Sequence, residues 1–572
     1  MKLKERIKSA RGDGPVDLLL TDARIINVFS GEIVTTNIAV TDGYIIGASA
    51  AAAKKTIDLK GRWVAPGFID AHVHIESSMA CITEFARAVL SHGTTTVVAD
   101  PHEIANVLGT NGLRYMLESS QQQPINIYFS LPSCVPATNM ETSGARLTPA
   151  DLMPFMDHER VLALAEMMNF PGVLQTDPEV LMKIEMAKKS RKPVDGHAPG
   201  LSGTDLNAYV TAGISSDHEC TTAEEAREKL SAGMHIMIRE GTGAKNLNDL
   251  LPIINERNSR RMMWCTDDRH PHDLLAEGHI DFIVRSAIGK GLDPVIAIQM
   301  ATLNPAEYFG IKNSGAIAPG KRADLVVISD LTELNIEGVY CRGKLVAENG
   351  MVSPGLIRPE PVPVPPSMNI GPDGVDFSIP AESSRIRVIE IVPDQLITRE
   401  KHMPAVITDN LAISDPSRDL LKIAVVERHT GSGGLGKGFV KGFGLKQGAL
   451  ASSVAHDSHN IIVIGTNDAD MQAALNAVVD MQGGVAAASD NQIRARLPLP
   501  IAGLMSPEPL TVIRDKLDDL VGIARNFGSP LKDPFMALSF LALPVIPELK
   551  ITDLGLVKVS QFEIVPLFID AT

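Results

Sequence analysis

The stretch Val64-Ala65-Pro66-Gly67-Phe68-Ile69-Asp70-Ala71-His72-Val73-His74 decides how the rest of the chain is read. A Pro-Gly turn precedes a short apolar run that ends in two histidines at i and i+2. Side chains at that spacing share one face of a β-strand, so the two imidazoles can grip one metal ion at the strand's end. Alone, His-x-His is common and also describes two ordinary core or surface histidines. Its place after an apolar strand and a turn favours metal binding.

Working outward, apolar runs alternate with helical stretches, the pattern of βαβ units around a parallel sheet. Eight candidate strands end near His74, Asp100, Pro132, Glu166, His197, His218, Glu240 and Asp267, with amphipathic segments such as 83–91 and 222–232 between them. Eight such repeats over about 250 residues match a (β/α)8 TIM-like barrel, whose active site lies where the strands end. Short alternating segments over 18–62 return in 315–358, as in Leu325-Val326-Val327-Ile328, so a small β-sandwich domain is expected from both sides of the barrel. The barrel itself is expected over 63–314. A proline-rich stretch opens a semi-rigid linker over 359–384, and 385–572 reads as a C-terminal α+β domain. The expected class is therefore α/β with three units, in keeping with the chain's 572 residues.

A formal net charge of −15 repels phosphate backbones, which argues against a nucleic-acid partner. The five cysteines, Cys81, Cys134, Cys220, Cys265 and Cys341, are scattered and never spaced as Cys-x-x-Cys. That suits a reducing cytosol better than a disulfide framework. No apolar h-region follows the first residues, and no run is long enough to span a membrane. A cytoplasmic protein is expected.

Four further candidate ligands fall at strand ends. Glu166 closes Val161-Leu162-Ala163-Leu164-Ala165-Glu166, where a carboxylate can bridge two ions. His197 closes Pro193-Val194-Asp195-Gly196-His197, and His218 closes Ile214-Ser215-Ser216-Asp217-His218. Either histidine alone reads as an ordinary loop residue; together on consecutive strands they fit one metal site. Asp267 follows Met262-Met263-Trp264-Cys265-Thr266 and can both ligate a metal and act as general base. Four histidines and two carboxylates favour two ions over one. Nitrogen and oxygen donors suit zinc, iron, manganese or cobalt.

The Val64–His74 string resembles the first barrel strand of the amidohydrolase superfamily, whose ligands come from strands one, four, five, six and eight. Those positions hold His72 and His74, Glu166, His197, His218 and Asp267. One departure is Glu166, where many binuclear members carry a carboxylated lysine. A narrower resemblance is to the adenine deaminase family. It rests on His74-Ile75-Glu76-Ser77-Ser78-Met79, Ala99-Asp100-Pro101-His102-Glu103-Ile104-Ala105-Asn106-Val107, Gly196-His197-Ala198-Pro199-Gly200-Leu201, Asp217-His218-Glu219 and Thr266-Asp267-Asp268-Arg269-His270-Pro271. In the C-terminal region Ser453-Val454-Ala455-His456-Asp457-Ser458-His459-Asn460 extends it.

The resemblance implies hydrolytic deamination of adenine to hypoxanthine and ammonia by a metal-activated hydroxide at a binuclear centre. The ions would be divalent transition metals, manganese or iron, with zinc as a further fit. Asp267 would take the water's proton and pass it to the leaving amine. Glu219 and Asp100 are the candidates for protonating ring nitrogen N1, and Asp100, His102 and Glu103 could read the purine edge. Glu219 could instead only orient a neighbouring ligand, and the Asp100 string could only cap a helix. A homodimer is implied as well.

Several signals weigh less. Gly431-Ser432-Gly433-Gly434-Leu435-Gly436-Lys437-Gly438 approaches a phosphate-binding loop, but Gly438 stands where the magnesium-binding Ser or Thr belongs. His456, Asp457 and His459 read as a further metal site, a lid over the barrel mouth, or a structural turn. The nearest rival function is a cyclic amide hydrolase of the dihydroorotase or hydantoinase sort on the same metals. A non-catalytic barrel would be expected to have lost ligands.

Overall fold

The computed structural model describes residues 2–50, 52–353, 362–370, 375–393 and 395–569. At its centre run eight parallel strands: β1 (Phe68–Val73), β2 (Thr94–Ala99), β3 (Asn126–Leu131), β4 (Val161–Met167), β5 (Val194–Gly196), β6 (Ser216–Asp217), β7 (His235–Arg239) and β8 (Met262–Cys265). β1 to β5 form one arc and β6 to β8 another. Single bridges close the ring, Val194 to Ile214 on one side and Val73 to Asp267 on the other. At the second seam Asp267 N–H donates to His72 O at 3.0 Å. Each strand ends within two residues of its expected position, and the expected amphipathic segments are the helices Ile82–Ser91 and Ala223–Ser231.

Both faces of these strands are covered, which is why they read as apolar runs. Ile69, Ala71, Val98, Ala163, Met237 and Met263, from five different strands, meet in one cluster that fills the interior. Phe68, Ile236, Met262 and Trp264 pack instead with Ile280, Ile283, Val284 and Ile298 of the surrounding helices.

The flanking sheet joins chain from both sides of the barrel. Leu325–Ile328 runs antiparallel to Trp63–Pro66, which in turn pairs with Val16–Asn27. Leu20, Ile38, Val64, Leu325 and Tyr340 share its core. Strand Trp63–Pro66 leads straight into β1, so this sheet anchors the start of the histidine-bearing strand.

A second nine-stranded sheet lies in the C-terminal region. Alternation along Ile461–Gly465 sets its two faces: Ile461 and Val463 pack with Met471 and Leu475 of helix Asp468–Asp480, while Ile462 and Ile464 join the large core that continues into the barrel. That core runs without a break from Val73 and Phe85 to Leu517 and Phe535, so barrel and C-terminal sheet share one apolar interior.

Of the expected linker over 359–384, residues 359–361 and 371–374 lie outside the described residues. Its described part is tied to the C-terminal sheet. Arg428 Nη1 donates to Ser367 O at 2.9 Å, and Asn369 N–H donates to Arg428 O at 2.8 Å. The glycine-rich loop is occupied by its own chain. Glu427 accepts the Thr430 and Ser432 backbone N–H groups at 2.6 and 2.9 Å and both hydroxyls at 2.9 Å. Those are the donors a phosphate would need. Gly436 serves packing, since a Cβ there would stand 1.8 Å from Thr552 O.

Gly67 is the tightest point of the β1 entry, because a Cβ there would meet Thr95 Oγ1 at 2.1 Å inside the barrel wall. Gly67→Ala is expected to lose about 1–3 kcal/mol by overpacking. Denaturant unfolding checks this, and Thr95→Gly in the same chain should recover much of the loss.

Candidate metal centre

The barrel brings its strand-end residues to one point. His72 and His74 leave β1 with their Nε2 atoms 3.2 Å apart. Glu166, on β4, stands between two groups of imidazoles. Its Oε1 lies 3.3 Å from His74 Nε2 and 3.7 Å from His72 Nε2. Its Oε2 lies 2.6 Å from His197 Nδ1 and 3.2 Å from His218 Nε2. One carboxylate thus faces two nitrogen clusters with different oxygens. Asp267 completes the β1 side, with Oδ1 3.0 Å from His74 Nε2 and 3.6 Å from His72 Nε2. It follows β8 in a left-handed backbone (φ 57°), a conformation aspartate tolerates better than most residues.

The donors fit metal ions on three counts. His74 Nδ1 lies 3.1 Å from Asp100 O, a carbonyl that can only accept, so Nδ1 carries the proton and Nε2 presents its lone pair inward. His218 Nε2 is buried without a hydrogen-bond partner. Such a nitrogen is costly to leave unmatched. Third, the charges call for cations. Burial opposes ionisation of Glu166, yet His197, His218 and His74 hold its carboxyl well below the usual range. Burial likewise opposes ionisation of Asp267, and Arg239 with His72 and His74 overcomes it. Burial pushes the imidazoles down, but the carboxylates win: Asp267 and Glu166 raise His72 and His74, while Glu219 and Glu166 raise His197 to about 9. Divalent ions would take the place of those protons.

The β2 end lies alongside. His102 Nδ1 stands 3.1 Å from Asp100 Oδ2 and 3.5 Å from Glu166 Oε1, and its Nε2 stands 3.5 Å from Glu103 Oε1. His102 therefore touches the ligand group as well as the cavity. Glu219 Oε1 lies 3.5 Å from His218 Nε2 and 3.7 Å from His197 Nδ1.

Two features were not read from the sequence. Arg239, the last residue of β7, pairs through Nη1 with Glu219 and, at 2.6 Å, with Asp267 Oδ2. The strand-end rule applied one residue earlier would have found it. The neighbouring Glu240 turns away and accepts Leu247 N–H at 3.1 Å. The second is the apolar part of the far wall, beside the His456 and Asp457 already offered as a lid. A cavity of 850 Å³ has His74, His102, Glu166, His218, Arg239 and Asp267 on its floor. Leu396, Ile397, His456, Asp457, Met536 and Phe540 of the C-terminal region close it from above. That volume is typical of a small-molecule site.

The amidohydrolase family matches residues 63–346, and the adenine deaminase C-terminal domain matches 395–563. An adenine deaminase from Desulfatibacillum aliphaticivorans is 57% identical over 98% of this chain and 99% of its own. Adenine deaminase 2 from Carboxydothermus hydrogenoformans is 50% identical over 99% of both chains. Among solved structures, L-hydantoinase from Arthrobacter aurescens covers 59% of this chain and 97% of its own, at 15% identity and a TM-score of 0.44.

Among the described residues Arg239 is the one guanidinium on Glu219 and Asp267, so Arg239→Met takes their cation from a buried and a part-buried carboxylate. Loss of about 3–5 kcal/mol is expected in the metal-free protein. Urea unfolding measures it, and Arg239→Lys, which keeps the charge but not the fork, should fall between.

Proposed function

The chain belongs to the adenine deaminases of the amidohydrolase family and hydrolyses adenine to hypoxanthine and ammonia as a metal-dependent enzyme; we propose that its residues divide that work as follows. His72, His74, Glu166, His197, His218 and Asp267 would hold two divalent transition-metal ions, with Glu166 offering one oxygen to each imidazole group. The observation that carries this assignment is the separation of Glu166's two oxygens between two imidazole groups. Manganese and iron suit these nitrogen and oxygen donors, and zinc does too. Bound there, the ions would supply Lewis-acid chemistry that makes hydroxide available from water near neutral pH, and C6 of the purine is the carbon it must reach.

Asp267 takes the water's proton and delivers it to the departing amine. Arg239 holds its Oδ2, which fixes the carboxylate for that transfer. The attacking oxygen's remaining proton ends on N1, and Glu219, which lines the cavity, would relay it; Asp100 does not line the cavity and acts through His102. His102 and Glu103 bind the substrate by its polar edge. Met168, Phe170, Leu396, Ile397 and Phe540 offer apolar surface to the ring.

We take 18–62 with 315–358, 63–314 and 385–572 as the three units, with the barrel carrying the chemistry. The family resemblance supports a homodimer. Cys134, Cys220, Cys265 and Cys341 are buried thiols outside any disulfide, which supports a cytoplasmic location. Among the described residues no helix is long and apolar enough to cross a membrane.

Purified protein loaded with manganese, iron or zinc should release ammonia from adenine and not from adenosine, and should leave dihydroorotate unhydrolysed. Turnover of dihydroorotate alone would overturn the substrate. Asp267→Asn should lower kcat by about 10²–10⁴-fold. Glu166→Gln should reduce bound metal below the wild-type content, read by elemental analysis; unchanged content would rule out the shared carboxylate.

A further inference from the structure

Glu103 belongs to the barrel, yet two of its partners come from the C-terminal sheet. His456 Nδ1 stands 2.8 Å from its Oε1, and His459 Nε2 hydrogen-bonds its Oε2. Glu103 is 2% exposed, so water cannot take over those bonds.

One carboxylate and two imidazoles have the composition of a further metal site. The ring of His459 argues otherwise. The backbone N–H of Ala455 donates to its Nδ1 at 3.1 Å. That nitrogen must present a lone pair, so in the neutral imidazole the proton sits on Nε2, facing Glu103. A protonated nitrogen cannot ligate a metal. Burial pushes His459 down to about 4 in spite of Glu103, which keeps the ring neutral. His459 is therefore a hydrogen-bond donor to Glu103.

The clamp is itself held from behind. His459 N–H donates to Ala455 O at 2.7 Å, and the buried Arg428 donates to His459 O and, at 2.9 Å, to Ala502 O. His459 keeps a left-handed backbone (φ 56°), a conformation histidine adopts more readily than most non-glycine residues. The ring of His456 stacks on Phe540, centroids 4.6 Å apart. In the other direction Glu103 Oε1 meets His102 Nε2 at 3.5 Å, and His102 Nδ1 meets Glu166 Oε1 at 3.5 Å.

We propose that His456 and His459 are positioning residues: they orient the Glu103 carboxylate, and through it His102, at the edge of the substrate cavity, so the deaminase site is complete only with the C-terminal sheet docked on the barrel. The proposal rests on the adenine reading of that cavity. Two neighbouring donors on separate carboxylate oxygens leave Glu103 one rotamer, and a buried acceptor of fixed direction can select an N–H group on a purine.

The test uses the full-length, metal-loaded enzyme. His459→Ala should lower kcat/KM for adenine by about 10–100-fold, chiefly through KM, with metal content unchanged. His459→Gln, whose amide N–H can still donate, should recover most of the loss. Adding His459→Ala to Glu103→Ala should cost nothing further, because the two act through one group. His459→Ala with wild-type kinetics, losses that multiply in the double variant, or metal lost from His459→Ala would each overturn the proposal. The last would point to an ion at this cluster instead. Should the alanine variant not fold, His459→Gln against the shorter His459→Asn carries the same comparison, and equal activity of the two would overturn it. Fully loaded wild type that is silent on adenine would overturn the deaminase reading itself, a result distinct from an active enzyme indifferent to His459.

Discussion

The site is organised by the burial of one carboxylate. Glu166 is 3% exposed and cannot be ionised there unless positive charge surrounds it. The barrel supplies that charge on both sides, from β1 through His72 and His74 and from the ends of β5 and β6 through His197 and His218. Each partner comes from a different part of the ring, so the arrangement exists only when the strands close. The closing bond from Asp267 N–H to His72 O joins two of the ligands directly, which ties the barrel's seam to the metal centre.

The same electrostatics explains why Asp267 and two acids beyond the ligand set, Glu219 and Asp217, are paired with cations. Asp267 and Glu219 share Arg239, and Asp217 is held by the fully buried Lys229 at 3.2 Å. Removing a buried charge's partner costs far more than the pair gains over apolar residues. The networks are thus better understood as holding side chains in place than as sources of stability. Orientation is what a hydrolytic site needs, since a misplacement of about 1 Å can cost about 10²-fold in rate.

Much of this is legible in the sequence. Strand parity and strand-end position nominated all six ligand candidates, and the fold puts them together. The same rule does not reach Arg239, because the apolar run places the end of the seventh strand at Glu240. In a strand a shift of one residue turns the side chain to the opposite face. Glu240 indeed caps the turn at Leu247 while Arg239 faces the cavity. His102, read as a substrate group, also stands 3.5 Å from Glu166, because β2 adjoins β1 in the ring. The sequence at His456 is compatible with a metal site, a lid and a turn, and the distinction depends on which backbone N–H meets the His459 ring.

By itself the sequence determined the residue types, their order along the barrel and the face each occupies on its own strand, since periodicities of 2 and 3.6 are local properties of the backbone. The tertiary structure alone decided which oxygen of Glu166 meets which imidazole and how Arg239 joins two acids. It also decided that His456 reaches Glu103 across 353 residues of chain. Those contacts depend on how the sheets pack through their shared core. No local pattern encodes that packing, because it is settled by the shapes of surfaces far apart in the chain.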